Sequence, residues 1–176
     1  MISEKIADAL NKQINLEYAS AYTYLAMSAY FLTHNLKGFS NWMRVQAQEE
    51  LTHGMKVYDF LDDRESSICF TDITAPKQSW GNPLEVFEDS LASEQEVSTS
   101  IYNIADLALS ERDHATHTFL QWFISEQVEE EAAVREVIDT LKLVGLEGNG
   151  LFLLDRDLAL RQPSGTEANQ EDPAAG

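Results

Sequence analysis

The sequence predicts an all-α protein: a four-helix bundle made of two hairpins joined by one long connection, with a short fifth helix. Three observations predict it. Four long stretches carry apolar residues at alternating steps of three and four, the spacing that keeps residues on one helix face. Short polar turns separate the first stretch from the second and the third from the fourth, whereas residues 64–82 between the pairs carry Ser66, Ser67, Pro76 and Gly81 and follow no period. Each stripe is also broken near its middle by an acid, amide or histidine, which an ordinary apolar core does not require.

The first helix is expected from Ser3, a suitable N-cap, to about His34, with the stripe Leu10, Ile14, Glu17, Ala21, Tyr24, Ser28 and Phe31. Asn35 to Gly38 makes a turn, with Gly38 available for an unusual backbone angle. The second helix follows from about Phe39 to Asp63, with Phe39, Met43, Gln46, Glu50, His53, Val57 and Phe60 on one face. So short a turn makes the two helices antiparallel neighbours. Asn82-Pro83 opens the third helix, which runs to about Leu109 with Leu84, Phe87, Leu91, Glu94, Ser98, Ile101 and Ala105 in line. After Ser110 to His114 the fourth helix runs from about Ala115 to Val144, along Leu120, Phe123, Gln127, Glu130, Val134, Val137 and Leu141. Gly145, Gly148 and Gly150 break the chain. A fifth helix over Leu151 to Leu160 places Leu151, Leu154 and Leu158 on one face, a candidate surface for packing between subunits. Residues 1–162 form one expected domain, and 163–176 read as a solvated polar tail.

Composition bounds the function. The chain has 176 residues, 44% of them hydrophobic, so it can build a real core. Its formal net charge of −18 argues against nucleic acid or an anionic membrane as partner and favours cations. No apolar run of about 18 residues is present to span a membrane, and Met1 to Lys12 lacks the apolar stretch of a signal peptide. The single cysteine, Cys69, allows no intramolecular disulfide. A reducing, cytoplasmic location is expected.

The chemistry lies in the interrupted stripes. Glu17, Glu50, His53, Glu94, Gln127 and Glu130 would all point inward at one level of the bundle. A bare buried carboxylate costs several kcal/mol even after relaxation, and no lysine or arginine lies in the stripes to offset it. Bound cations are the simplest counter-charge. Glu50 and His53, three apart, lie on one face and can share a metal. Alone that pair is a weak signal; with Glu17, Glu94 and Glu130 from three other helices it points to a dinuclear site, with Glu50, and Glu130 as a second candidate, bridging. Oxygen-rich ligands with one histidine suit iron or manganese better than a thiolate-built structural zinc. Tyr24 is either a core aromatic or a hydrogen-bond donor to the site. Trp122, beside its helix's stripe, is expected to pack in the core. Glu49, Glu126 and Glu129 flank the stripe positions and form either a second, wetter metal site or a solvated acidic face.

These residues resemble a bacterial non-haem ferritin. The resemblance spans Glu4 to Arg161. It rests on Asn15-Leu16-Glu17 with Tyr24, on Ala47-Gln48-Glu49-Glu50-x-Thr52-His53, on Glu94, on Phe119-Leu120-Gln121-Trp122-Phe123-x-Ser125-Glu126-Gln127-x-Glu129-Glu130-Glu131, and on Gly150-Leu151 opening the last helix. It implies that Glu17, Glu50 and His53 hold one iron and that Glu50, Glu94 and Glu130 hold the second. Gln127 would hydrogen-bond the site. Glu50, Tyr24 and Gln127 would take part in oxidising Fe2+ with O2 or H2O2. Glu49, Glu126, Glu129 and Glu130 resemble a third, inner-surface iron site. The resemblance further implies a hollow homo-oligomeric shell of twenty-four subunits that stores ferric mineral, with the fifth helix at the four-fold axis.

It departs at His117 and Leu120, where animal ferritins carry acids along a three-fold channel, so no acidic access route there is implied. Val128 replaces a polar residue without touching the ligand set. Bacterioferritin fits less well, because Leu51 stands where its haem-ligating methionine would be and Gln127-x-x-Glu130 replaces its second Glu-x-x-His; no haem is expected. A mini-ferritin would lack the fifth helix. Three other functions make different demands. A non-catalytic storage subunit would have disrupted ligands, a di-iron oxidase of organic substrates would need a substrate pocket or an electron-transfer domain, and a structural bundle would leave the buried acids unexplained.

Overall fold

The computed structural model of the protein describes residues 2–163. The expected tail therefore lies, Pro163 apart, outside the described residues. The described chain forms five helices: α1 (Glu4–Thr33), α2 (Lys37–Asp63), α3 (Pro83–Ser110), α4 (His114–Val144) and α5 (Gly148–Leu158). Caps fix the starts of three of them. The hydroxyl of Ser3 accepts from the Ile6 amide, Asn82 from that of Glu85 and Asp113 from that of Thr116.

Contacts across the bundle give the directions. From α1 to α2, Ser28 meets Ser40 while Tyr18 meets Met55. From α1 to α3, Tyr24 meets Ser90 while Gln13 meets Ser100. From α2 to α4, Gln46 meets Glu130 while His53 meets Trp122. Numbers rise along one helix as they fall along the other, so each pair is antiparallel. Consequently α2 and α3 run the same way, and residues 64–82 must travel the length of the bundle. They do so along α1. Asn11 donates to the Ser67 carbonyl and accepts from the Cys69 amide, Asn15 accepts from the Thr71 amide, Phe70 stacks on Tyr18, and Trp80 meets the edge of Tyr30.

The turns use a device other than the glycine expected. Asn35, Glu65 and Arg112 take the left-handed conformation at φ 59, 52 and 59°. After each, the next amide reaches back five residues: Leu36 to Phe31, Ser66 to Leu61 and Asp113 to Ala108. This is the Schellman arrangement, here without glycine. Gly38 lies inside α2 and serves close approach instead. A Cβ there would stand 1.5 Å from the Asp155 carbonyl oxygen.

Through that gap α5 seats on the start of α2. Leu36 offers α2 no side-chain cap, and Asp155 supplies one from α5, its Oδ1 accepting from the Gly38 and Phe39 amides at 2.8 and 3.1 Å. Leu151, Leu154 and Leu158 pack on the same chain's core rather than facing outward as expected; Phe152 and Leu153 are the exposed apolar residues of α5. The core itself falls into two apolar clusters. One is centred on Phe31, Phe39, Phe87 and Leu141, the other on Leu10, Leu61, Ile101 and Phe123. The polar stripe residues lie between them.

Replacing Gly38 by Ala is expected to dislodge α5, with faster hydrogen exchange in residues 148–158. It should cost more stability than Asp155→Ala, which removes only a cap worth about 1 kcal/mol. Equal denaturation midpoints for the two variants would contradict the close-approach role.

Candidate metal centre

Each bundle helix brings its interrupting residue to the same level. Glu17 (α1), Glu50 and His53 (α2), Glu94 (α3), and Gln127 and Glu130 (α4) are all buried, as the stripes required. Donor atoms of Glu17, Glu50 and His53 lie within 4.8 Å of one another, and a second group of the same kind joins His53 to Glu126 and Glu130. His53 Nδ1 is 3.5 Å from Glu50 Oε2.

Hydrogen bonds hold some of the ligand atoms and leave others bare. Gln13 donates to Glu17 Oε1 at 2.8 Å, and Gln46 to Glu130 Oε2 at 2.6 Å. Gln127 donates to Glu94 Oε2 at 3.2 Å. The Tyr24 hydroxyl donates to Glu94 and lies 2.9 Å from the Ser90 hydroxyl. In contrast Glu17 Oε2, both oxygens of Glu50 and His53 Nδ1 are buried without a hydrogen-bond partner. Such atoms cost about 1–3 kcal/mol each, more when charged. Hard carboxylate oxygens and an imidazole nitrogen left bare around one space fit a metal cation.

The titration of the acids says the same. Burial pushes the carboxyls of Glu17 and Glu50 well above the usual value, and the facing charges of Glu50 and Glu94, respectively, push further. Glu94 is raised by burial against the hydrogen bonds of Tyr24 and Gln127. Glu130 is raised to about 7, by burial and then Glu94, opposed by Gln46 and Arg161. Burial and the neighbouring acids likewise hold the Tyr24 phenol protonated. Carboxyls raised in this way hold protons to higher pH, and a cation bound at this level would compete with those protons.

The flanking acids separate from one another. Glu49 is buried and ion-paired with Arg161 at 2.7 Å; Glu126 is half-buried and Glu129 exposed. Among the described residues, Glu126 alone of these three joins a metal-capable group. Trp122 is not a core residue. It is 39% exposed, meets the His53 ring edge-on at 5.4 Å, and carries the Lys56 ammonium over its face. Leu120 is fully buried in the core and lines no channel, and His117 is half-buried beside Gln121. Sequence reasoning missed Gln13, Ser90 and Arg161. Gln13 lies four residues before Glu17 on the same face, a spacing that offered a signal. Arg161 offered none, because it reaches the site from beyond α5.

A bundle whose four helices each bring a buried acid to one level, with Glu17, Glu50 and His53 close enough to share a metal ion, has the architecture of the ferritin-like proteins. The chain belongs to the ferritin family: the model for that family, a ferritin-like domain, matches residues 7–144. It is 45% identical over 161 residues to the bacterial non-heme ferritin of Staphylococcus saprophyticus, covering 92% of this chain and 96% of that one. The bacterial non-heme ferritin of Staphylococcus epidermidis is 44% identical over the same length. The open-pore ferritin of the hyperthermophilic archaeon Archaeoglobus fulgidus superimposes with a TM-score of 0.91 at 46% identity, over 92% of this chain and 100% of that one. A closed form of that ferritin, engineered by site-directed mutagenesis, gives the same TM-score over 93% of this chain. No described helix is long and apolar enough to cross a membrane.

The raised carboxyls set opposite pH trends. Their contribution to metal-free stability is full below the usual carboxyl value of 4.5 and is lost, for Glu130, as pH rises through about 7. Metal affinity should instead fall about tenfold per pH unit below that point for each proton displaced. Calorimetry in buffers of different ionisation enthalpy should register proton release on Zn2+ or anaerobic Fe2+ binding. Binding independent of pH and without proton release would refute a protonated level.

Proposed function

We propose that the protein stores and detoxifies iron: it oxidises Fe2+ to Fe3+ at the centre between its helices and deposits ferric oxyhydroxide inside a homo-oligomeric cage, in the twenty-four-subunit form that the resemblance implies. The reading is supported by one observation above all, the bare, buried atoms of Glu17, Glu50 and His53 facing one space. Iron is substrate here. Glu17, Glu50 and His53 would hold one Fe2+, and Glu50, Glu94 and Glu130 the other, with Glu50 shared. The two ions would sit about 3.5–4 Å apart, as in other dinuclear sites. Each Fe2+ gives up one electron. O2 accepts the pair with two protons and leaves as H2O2; H2O2 accepts a pair with two protons and leaves as water. Carboxylates favour the product charge state, since hard anionic oxygens bind Fe3+ more tightly than Fe2+.

The chain's other residues have defined parts in this reading. Gln13 and Gln46 each fix one oxygen of Glu17 and Glu130, and Gln127 with Tyr24 orients both oxygens of Glu94. Tyr24 orients Glu94 and holds a proton and an oxidisable ring beside the ions. Glu126, with Glu49, Glu129 and Glu130, would take Fe3+ onward toward the mineral. A cytoplasmic location and the absence of haem belong to the same reading.

Stopped-flow oxidation of Fe2+, with the assembly's mass by size exclusion, tests the proposal; a large assembly with no fast oxidation would reduce it to passive storage. Glu50→Ala should abolish the fast phase more completely than Glu94→Ala, because it removes ligands from both ions. Equal, mild losses would sink the bridging assignment. Tyr24→Phe keeps the packing and should leave binding and assembly intact while altering turnover after the first oxidation. Wild-type kinetics on repeated iron additions would reduce Tyr24 to a packing residue.

A further inference from the structure

The flanking acids divide by what they touch. Glu126 and Glu130 bring carboxylate oxygens within 4.8 Å of a His53 nitrogen; His53 and Glu126 line a surface pocket with Glu49, Thr52, Lys56, Trp122 and Pro163, while Glu130 is buried. Glu49 lies in that wall but joins no metal-capable group among the described residues. Its Oε2 instead accepts from Arg161 Nη2 at 2.7 Å. The ion pair is sheltered: the Glu49 side chain is 7% exposed and that of Arg161 21%. A sheltered pair is screened far less than a surface one.

Arg161 is held for this contact. Its guanidinium lies 4.2 Å over the Trp42 ring. Asn41 donates to its backbone carbonyl, and to those of Leu158 and Ala159, where the chain leaves α5. A guanidinium is charged at every relevant pH and keeps its fork geometry. One of its nitrogens, Nη1, is buried with no hydrogen-bond partner, so the group is not placed to satisfy its own donors. Its charge also reaches the centre, opposing the upward shift of the Glu130 carboxyl.

We propose that Arg161 is a built-in competing cation at the outer iron site: its guanidinium occupies Glu49, so iron leaving the dinuclear centre gains that carboxylate only by displacing the arginine. Arg161 is thus a positioning residue that acts through Glu49 and meters transfer from the centre toward the mineral. The proposal rests on the iron-oxidising reading above and adds a control that the ligand set alone does not contain. Removing the arginine takes a guanidinium charge away from a sheltered carboxylate, a cost that a metal ion bound there would relieve. The outer site should then tighten.

Anaerobic Fe2+ titration of the assembled, iron-free protein by calorimetry reads this directly. The wild type should bind two ions per subunit tightly and a third weakly. In Arg161→Gln the third event should tighten about tenfold, and in the double variant Arg161→Gln, Glu49→Gln that gain should vanish. Arg161→Lys should fall between, since an ammonium keeps the charge but loses the planar fork. A third event unmoved in Arg161→Gln, or a gain that survives the loss of Glu49, overturns the proposal. If Arg161→Gln does not assemble, Arg161→Lys with and without Glu49→Gln decides it: tightening that needs Glu49 supports the competing cation, and no tightening overturns it. Absence of the first two events in the wild type overturns both readings; their presence with an unmoved third overturns this one alone.

Discussion

The structure is organised around a desolvation cost. Four carboxyls and an imidazole, from four helices, are buried at one level of the bundle. Water is excluded by apolar clusters above and below, so the acids cannot be solvated in place. The protein does not remove the cost internally. It hydrogen-bonds one oxygen each of Glu17 and Glu130 through amides and both oxygens of Glu94 through Tyr24 and Gln127, and leaves Glu50 bare in the middle. That asymmetry separates a centre from a mere buried polar network. A network evolved for stability alone would satisfy its members completely.

Holding bare carboxylates in register demands rigid helices, and the remaining features supply them. Side-chain caps and left-handed terminal residues close the helix ends within few residues, so the antiparallel faces meet without slack. The crossover adds no sheet or helix of its own. It is fastened to α1 by the side-chain amides of Asn11 and Asn15 and by Phe70 and Trp80. α5 completes α2 rather than extending α4. It lends Asp155 to the bare start of α2, and Arg161 beyond it reaches Glu49 about three turns further along.

Most of the centre was legible because helical periodicity is a strong signal and a buried acid is a conspicuous exception to it. Glu17, Glu50, His53, Glu94 and Glu130 stood out for that reason, and all five are buried at one level. What escaped was whatever depends on contacts between elements or on backbone angles. Gly38 read as a turn residue because glycine usually marks one; its role comes from α5, which lies more than a hundred residues away in sequence. The left-handed angles fell to Asn35, Glu65 and Arg112, of which only asparagine advertises such a conformation. Trp122 read as core because tryptophan is mostly buried, whereas here it is 39% exposed, meets the His53 ring edge-on and carries a lysine over its ring. The pairing of Arg161 with Glu49 has no local signature at all.

The two-cluster core gives the molecule a waist. Above and below it, side chains interdigitate in the ordinary way; across it, the helices meet through the polar stripe residues and their hydrogen bonds. In the iron-handling reading, an ion lodged there would tie two or three helices together at once, and its departure would untie them. The bundle's mechanical stiffness would then follow the passage of its cargo, a clamp when loaded and a looser frame between loads.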